Sequence, residues 1–261
     1  GCRVVKSAAE IALMQQANPI TIEAYRAVLA SLRDGMTQAE FADNCTVAFS
    51  ALGVVGGAGA NFGNASAFPH GSIQPQRLKE GDIVLMDGGC SVDGYQSDIS
   101  RTVVFGKPTA HQREIWNLER KAQDAAFTAA KVGVPCEAVD AAARKVITDA
   151  GFGPDYKVPG LPHRTGHGIG LDGHEWTNLV RGNKTPLRPG MCFSDEPMIT
   201  NYKEFGVRLE DCMYITESGA KMRTYRALDK LRKNFNIKVR YAEPKRDTIE
   251  EAADDGRKSI P

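Results

Sequence analysis

Residues 86–102 read Met86-Asp87-Gly88-Gly89-Cys90-Ser91-Val92-Asp93-Gly94-Tyr95-Gln96-Ser97-Asp98-Ile99-Ser100-Arg101-Thr102. Asp87 closes an apolar run that starts near Asp82, and such a run ahead of a glycine pair predicts a strand. Asp93-Gly94 is a hairpin signal, because the tight turn needs residues that tolerate positive φ. The chain then returns through 95–105, which sets Asp87 opposite Asp98 or a position two residues from it. Side chains alternate across a sheet, so either register puts both carboxylates on one face. Two acids that close repel unless something cationic lies between them. Taken alone, an aspartate beside a turn is ordinary turn chemistry.

Downstream residues change that reading. His163-Arg164-Thr165-Gly166-His167-Gly168-Ile169-Gly170 leads to His174-Glu175, so three of the five histidines fall within a short span. Glycines there let backbone and ligand approach closely, and a histidine cluster among them points to a metal or catalytic site. Glu196-Pro197 follows the turn-like Leu187-Arg188-Pro189-Gly190, and Arg208-Leu209-Glu210-Asp211 opens a strand with Arg208 and Glu210 on one face. Asp195 and Asp211 point the other way and are left out of the site. Asp87, Asp98, His167, Glu196 and Glu210 then supply four carboxylates and one imidazole. Burying four carboxylates together without cations is prohibitively costly. Two divalent ions neutralise them, and an oxygen-rich set suits Mn, Co, Zn or Fe over a thiolate-seeking metal. A pair of ions about 3.5 Å apart can hold a hydroxide for hydrolysis.

The rest of the 261-residue chain is consistent with a globular enzyme. At 42% hydrophobic and 25% charged it is neither mainly disordered nor fibrous. With 33 Lys+Arg against 32 Asp+Glu, a net charge of +1 gives no field that would draw nucleic acid or an acidic membrane. Its apolar runs are too short to span a bilayer. Six cysteines (Cys2, Cys45, Cys90, Cys136, Cys192, Cys212) without a CxxC pair exclude a zinc knuckle and a disulfide scaffold. Reduced, buried thiols and a cytoplasmic location are expected, with an upstream signal left open because Gly1-Cys2-Arg3 reads as an interior start. Ser7 with Glu10, Thr37 with Glu40 and Thr109 with Gln112 form capping boxes. The first helix is expected to break at Pro19, the second to reach about Ala51, the third about Val132, and a fourth to run from about Glu137 to Ala150. Strand-like stretches cover 54–64, 82–88, 95–105 and 206–217. Helices followed by strands occur twice, which predicts two similar α+β halves facing each other. Residues 226–261, with 17 charged side chains in 36, read as a solvated helix or extension.

In order, the Asp-x10-Asp pair, the His-x3-His-Gly-Ile-Gly run, Glu-Pro and Arg-Leu-Glu-Asp resemble the pita-bread metallopeptidases. Pro69-His70-Gly71, the Ser97-Asp98-Ile99-Ser100-Arg101-Thr102 block and the last motif resemble the Xaa-Pro dipeptidase (prolidase) and aminopeptidase P branch, rather than methionine aminopeptidases. The resemblance covers residues 3–225. It implies an α+β pita-bread fold, with two pseudo-symmetric halves around a central antiparallel sheet and a dinuclear site. Residues 1–225 would be the catalytic domain and 226–261 an extension.

By the same resemblance Asp87 binds one metal, Asp98 and Glu210 bridge both, and His167 and Glu196 hold the other, with Glu196 also the general base. His70 and His174 would contact substrate and stabilise the tetrahedral intermediate, Arg208 would orient acidic ligands and shuttle protons, and His163 would have a smaller role. Tyr95 and Arg101 are read as structural, Arg181 as a surface arginine rather than a clamp for the substrate carboxylate, and Cys90, Cys192 and Cys212 as buried fillers. The implied activity is hydrolysis of the bond before proline, in Xaa-Pro dipeptides or at the N-terminus of Xaa-Pro peptides, through a metal-bridging hydroxide. The implied cofactors are two divalent ions, manganese first with Co, Zn or Fe as alternatives. The implied partner is a small peptide with proline second, not nucleic acid or membrane, and a homodimer is compatible. Another hydrolase on the same scaffold (methionyl peptide or non-peptide ester) and an inactive binding module remain as alternatives. Relatives in this branch carry an N-terminal domain ahead of the catalytic unit, expected here to be absent, cleaved or left out.

Overall fold

Ser7 starts helix α1 (Ala8–Ala30): its hydroxyl accepts from the Glu10 backbone N–H, and the Glu10 carboxylate accepts from the Ser7 N–H in return. The computed structural model describes residues 2–222 apart from 70 and 73. The same reciprocal cap opens α2 (Gln38–Ala51) from Thr37 and α3 (Ala110–Ala129) from Thr109, whereas α4 (Cys136–Asp149) starts after Pro135. The break expected at Pro19 does not occur. Pro19 removes one backbone donor, but the Asn18 amide and Thr21 hydroxyl bond to the carbonyls of Met14 and Ala17, and Ile22, Ala24, Tyr25 and Val28 are buried beyond it. Packing of that second segment outweighs the lost hydrogen bond. α3 stops at Ala129, short of Val132. The charged run 226–261 lies outside the described residues.

Strands β1 (Val55–Phe62), β2 (Ile83–Val92), β3 (Tyr95–Gln96) and β4 (Ile99–Val104) form an antiparallel sheet in which β2 pairs with the other three. β5 (Gly166–Gly168), β6 (Glu175–Leu179), β7 (Cys192–Asp195), β8 (Met198–Thr200), β9 (Gly206–Arg208), β10 (Asp211–Thr216) and β11 (Gly219–Met222) follow. Five of these form a second antiparallel sheet, ordered β11-β10-β7-β5-β6, and β8 pairs with β9. Tyr25, Phe41, Phe49 and Met86 fill the core between α1–α2 and the first sheet, while Ile115, Val139, Ile147, Phe193 and Met213 fill that between α3–α4 and the second. The two sheets meet where the Glu210 N–H donates to the Ser100 carbonyl at 3.1 Å.

Two of the expected strands are interrupted, one at residues 97–98 and the other at 209–210. At the first break the Ser97 hydroxyl accepts from the Cys90 N–H, and the Ser97 carbonyl comes so near Gly89 that a Cβ there would sit 1.9 Å from it. Only glycine allows that approach. Among the described residues no helix is long and apolar enough to cross a membrane.

Candidate metal centre

The hairpin adopts the second of its two expected registers. Asp87 pairs with Ser100, two residues from Asp98, and Asp93 and Gly94 turn the chain with φ of 47° and 85°. The Tyr25 hydroxyl on α1 lies 3.0 Å from the Gly88 carbonyl and 2.7 Å from that of Ile99, fixing the backbone beside both aspartates. In the other half, β5 carries His167, whose N–H donates to Ser194 Oγ at 2.9 Å. A Cβ on Gly166 would lie 2.1 Å from the Ser194 carbonyl, so this close strand contact also requires glycine. Glu196 follows β7, with its N–H donating to the Thr165 carbonyl at 2.8 Å and its carboxylate accepting from Ser194 Oγ at 3.3 Å. Asp98 and Glu210 sit at the two strand breaks, where the backbone leaves the ladder and the side chains can converge from opposite sheets.

Asp87, Asp98, His167, Glu196 and Glu210 come together in one cluster. Ligand atoms of Asp87, Asp98 and Glu210 lie within 4.8 Å of one another, as do those of His167, Glu196 and Glu210, and those of Asp98, His167 and His174. His167 Nε2 is 3.3 Å from Glu196, 3.6 Å from Asp98 and 3.8 Å from Glu210. Its Nδ1 lies 3.1 Å from the Gly168 carbonyl, which can only accept, so Nδ1 carries the hydrogen and Nε2 turns a lone pair toward three carboxylates. Burial, with His174 beside it, pushes His167 down to about 3, so an imidazolium does not supply the missing positive charge. Glu210 Oε1 is buried without a hydrogen-bond partner among the described residues. Burial, reinforced by the neighbouring acids, lifts Asp98 and Glu210 well above the ordinary carboxylate range. It lifts Glu196 to about 7 although Arg208 opposes the rise. A converging lone pair, an orphaned buried oxygen and acids that resist ionisation fit divalent cations held by oxygen and nitrogen.

Arg208 spans the cluster. Its Nη2 is 2.5 Å from Asp87, its Nη1 3.8 Å from Glu196, and its Nε donates to Ser100 Oγ at 2.8 Å. Burial works against the guanidinium charge, but the surrounding carboxylates more than offset it and raise the Arg208 pKa. Ser100, which sequence reasoning missed, also lies 2.8 Å from Asp87 and 2.6 Å from Glu210. Its place on the Asp98 face, opposite Asp87, was the available signal. Arg164 was missed too; its charge favours the ionised forms of Asp98 and Glu196.

The His174 ring is 4.0 Å from that of His167, at the exposed side of the cluster. His163 is half-buried with Nδ1 on the Arg164 carbonyl, and His70 lies outside the described residues. Asp195 and Asp211 turn away from the cluster, Asp211 pairing with Arg101 at 2.6 Å. Tyr95 donates to Glu10, and Arg181 pairs with Asp155 on the surface. Cys212 Sγ meets the Asp98 N–H at 3.4 Å, and no cysteine joins the ligand groups among the described residues. A cavity of about 530 Å³ adjoins Asp87 and Arg208, lined also by Gln38, Asn61, Pro69 and Ser72.

Residues 12–217 match metallopeptidase family M24. The chain belongs to that family. It is 36% identical over 225 residues to the Xaa-Pro dipeptidase of Pyrococcus furiosus, covering 85% of this chain and 63% of that protein. It is 38% identical over 231 residues to the Xaa-Pro dipeptidase of Lactobacillus helveticus, covering 85% and 60%. Among solved structures, the X-Pro aminopeptidase of Thermotoga maritima superposes with a TM-score of 0.81 at 31% identity, over 85% of this chain and 63% of that one. The M24 chain therefore spans less than two thirds of the length of these relatives, and its two α+β halves make the pita-bread fold.

Proposed function

We propose that this M24 chain is the catalytic unit, residues 1–225, of a metal-dependent exopeptidase that hydrolyses the bond before proline in Xaa-Pro dipeptides or at the N-terminus of Xaa-Pro peptides. The observation that carries the reading is the convergence of His167 Nε2 on three carboxylates in a chain 36–38% identical to Xaa-Pro dipeptidases. Asp87, Asp98, His167, Glu196 and Glu210 would hold two divalent ions, manganese first. When bound, such ions supply Lewis acidity for the scissile carbonyl and an acidified water for attack.

The protein's own groups do the rest. Glu196, its carboxylate form favoured once cations offset the neighbouring acids, accepts the proton of the attacking water and passes it to the leaving proline nitrogen. Arg208 holds Asp87 and Glu196 on one fork and keeps the site's net charge low. His174, at the exposed side, donates to the oxygen that gains charge as the carbonyl is attacked, and His70 is assigned to the same task. The cavity beside Asp87 and Arg208 receives the peptide.

The test is hydrolysis of Gly-Pro, Ala-Pro, a longer Xaa-Pro-Xaa peptide and a Met-Ala-Ser peptide by chelator-stripped protein, before and after adding Mn, Co or Zn. Metal-dependent cleavage confined to Xaa-Pro bonds is expected, and the length preference separates dipeptidase from aminopeptidase. Cleavage of the methionyl peptide instead would overturn the proline assignment.

A further inference from the structure

We propose that Asp140 and Arg144, a buried ion pair on α4, are positioning residues that hold the histidine-bearing segment and Glu196 in place; this rests on the function proposed above. Their side chains are 1% and 9% exposed, with Arg144 Nε 2.7 Å from Asp140 Oδ2. The remaining guanidinium nitrogens donate to the carbonyls of Asp155, Leu161 and His163, so one planar group ties down the run that leads into the site. The face of the guanidinium rests 4.2 Å from the Tyr156 ring centroid. The other oxygen of Asp140 accepts from the Thr165 hydroxyl at 2.8 Å and from its N–H at 3.1 Å. Thr165 stands two residues before His167, and its carbonyl accepts the Glu196 N–H.

A single helical pair thus sets the backbone of His163, of the entry to β5 and of Glu196. A buried ion pair is weak evidence for a stabilising role, because apolar replacements are often as stable. The fork matters because it fixes direction: three carbonyls and one carboxylate meet donors in one plane, a pattern that lysine's point charge cannot reproduce.

The experiment compares Arg144→Lys and Thr165→Val with the parent and with Lys145→Met, whose exposed pair with Asp149 sits on the same helix. Mn²⁺ affinity is read by calorimetric titration of chelator-stripped protein shown by circular dichroism to be folded. Values of kcat and KM for Ala-Pro are read at saturating Mn²⁺. Arg144→Lys and Thr165→Val are each expected to weaken Mn²⁺ binding by about tenfold or more and to lower kcat with little change in KM. Lys145→Met should match the parent. If both site variants melt earlier yet bind Mn²⁺ and turn over like the parent, the pair is merely structural and the proposal falls. Thr165→Val decides alone if Arg144→Lys does not fold. A parent that binds Mn²⁺ but leaves Ala-Pro intact sinks the proposed function while the affinity comparison still tests the pair; a parent that binds no Mn²⁺ overturns both.

Discussion

Two groups of acids lie back to back across the strands that end just before Glu196 and begin just after Glu210. On the front, Asp98, Glu196 and Glu210 surround His167 Nε2, and Asp87 joins them through Ser100 and Arg208 and reaches solvent, its side chain 43% exposed. On the back, Asp195, Asp211 and Glu119 are fully enclosed by α3 and the second sheet. Asp211 has Arg101 and the Gln123 amide as partners, whereas neither oxygen of Asp195 has a hydrogen-bond partner among the described residues. Burial lifts Glu119 and Asp195 well above the ordinary range, with neighbouring acids adding to the rise. The same residue type therefore meets two solutions to one electrostatic problem. The front set has an open side, a nitrogen lone pair and an arginine fork, which suit exchangeable cations. The back set has no opening, so burial favours the protonated forms of Glu119 and Asp195, while Asp211 is balanced by Arg101.

Breaking the front set should have the largest effect. Glu196→Gln keeps the side-chain shape but removes a ligand charge and the proton acceptor. A loss in kcat on the order of 10³-fold or more is expected, with an unchanged far-ultraviolet spectrum. Retained turnover would remove Glu196 from the mechanism. Ser100→Ala should come next, because it frees Asp87, Glu210 and Arg208 from their common oxygen. Mn²⁺ affinity should fall about 10- to 100-fold, and Ser100→Thr should restore most of it. An unaltered affinity in Ser100→Ala would show that the hydroxyl orients nothing.

The back set predicts a different kind of change. Glu119 holds its proton more tightly folded than unfolded, so the folded state binds more protons once the pH passes the ordinary carboxylate value. Its contribution is present in acid and is lost as the pH rises through the folded value. Glu119→Gln should therefore melt like the parent near pH 4 but at a higher temperature near pH 8, with Mn²⁺ affinity unchanged. Equal shifts at both pH values would contradict a retained proton. Smallest of all should be Arg181→Gln, since Arg181 is half exposed and already paired with Asp155. Steady-state kinetics on Ala-Pro should be indistinguishable from the parent, and a raised KM would restore Arg181 as a carboxylate clamp.

Much of this contrast was legible in the residues. The capping boxes at Ser7, Thr37 and Thr109 mark true helix starts, because their bonds form within four residues and need no distant partner. Asp93-Gly94 sets the hairpin for the same reason. Alternation through 195–196 and 208–211 separates Glu196 and Glu210, which lie in the cluster with His167, from Asp195 and Asp211, which lie outside it. Local pattern could not show that α1 passes through Pro19, since that depends on what Ile22, Tyr25 and Val28 pack against. Nor could it show the breaks that release Asp98 and Glu210, which arise from contacts with Cys90, Cys212 and the facing sheet.

Asp140–Arg144 and Lys145–Asp149 make the limit plain. Both are opposite charges four apart on α4, yet one pair is buried against the histidine segment and the other is in water. The sequence by itself determined the helix starts, the hairpin, the two-half organisation and the residue types able to hold divalent ions, because each follows from local geometry or from charges that must be neutralised. Only the tertiary structure decided which acids face the cluster's opening, that Ser100 joins Asp87 to Glu210, and which ion pair on α4 reaches the site. Those depend on which surfaces are removed from water, and burial is a property of the whole fold.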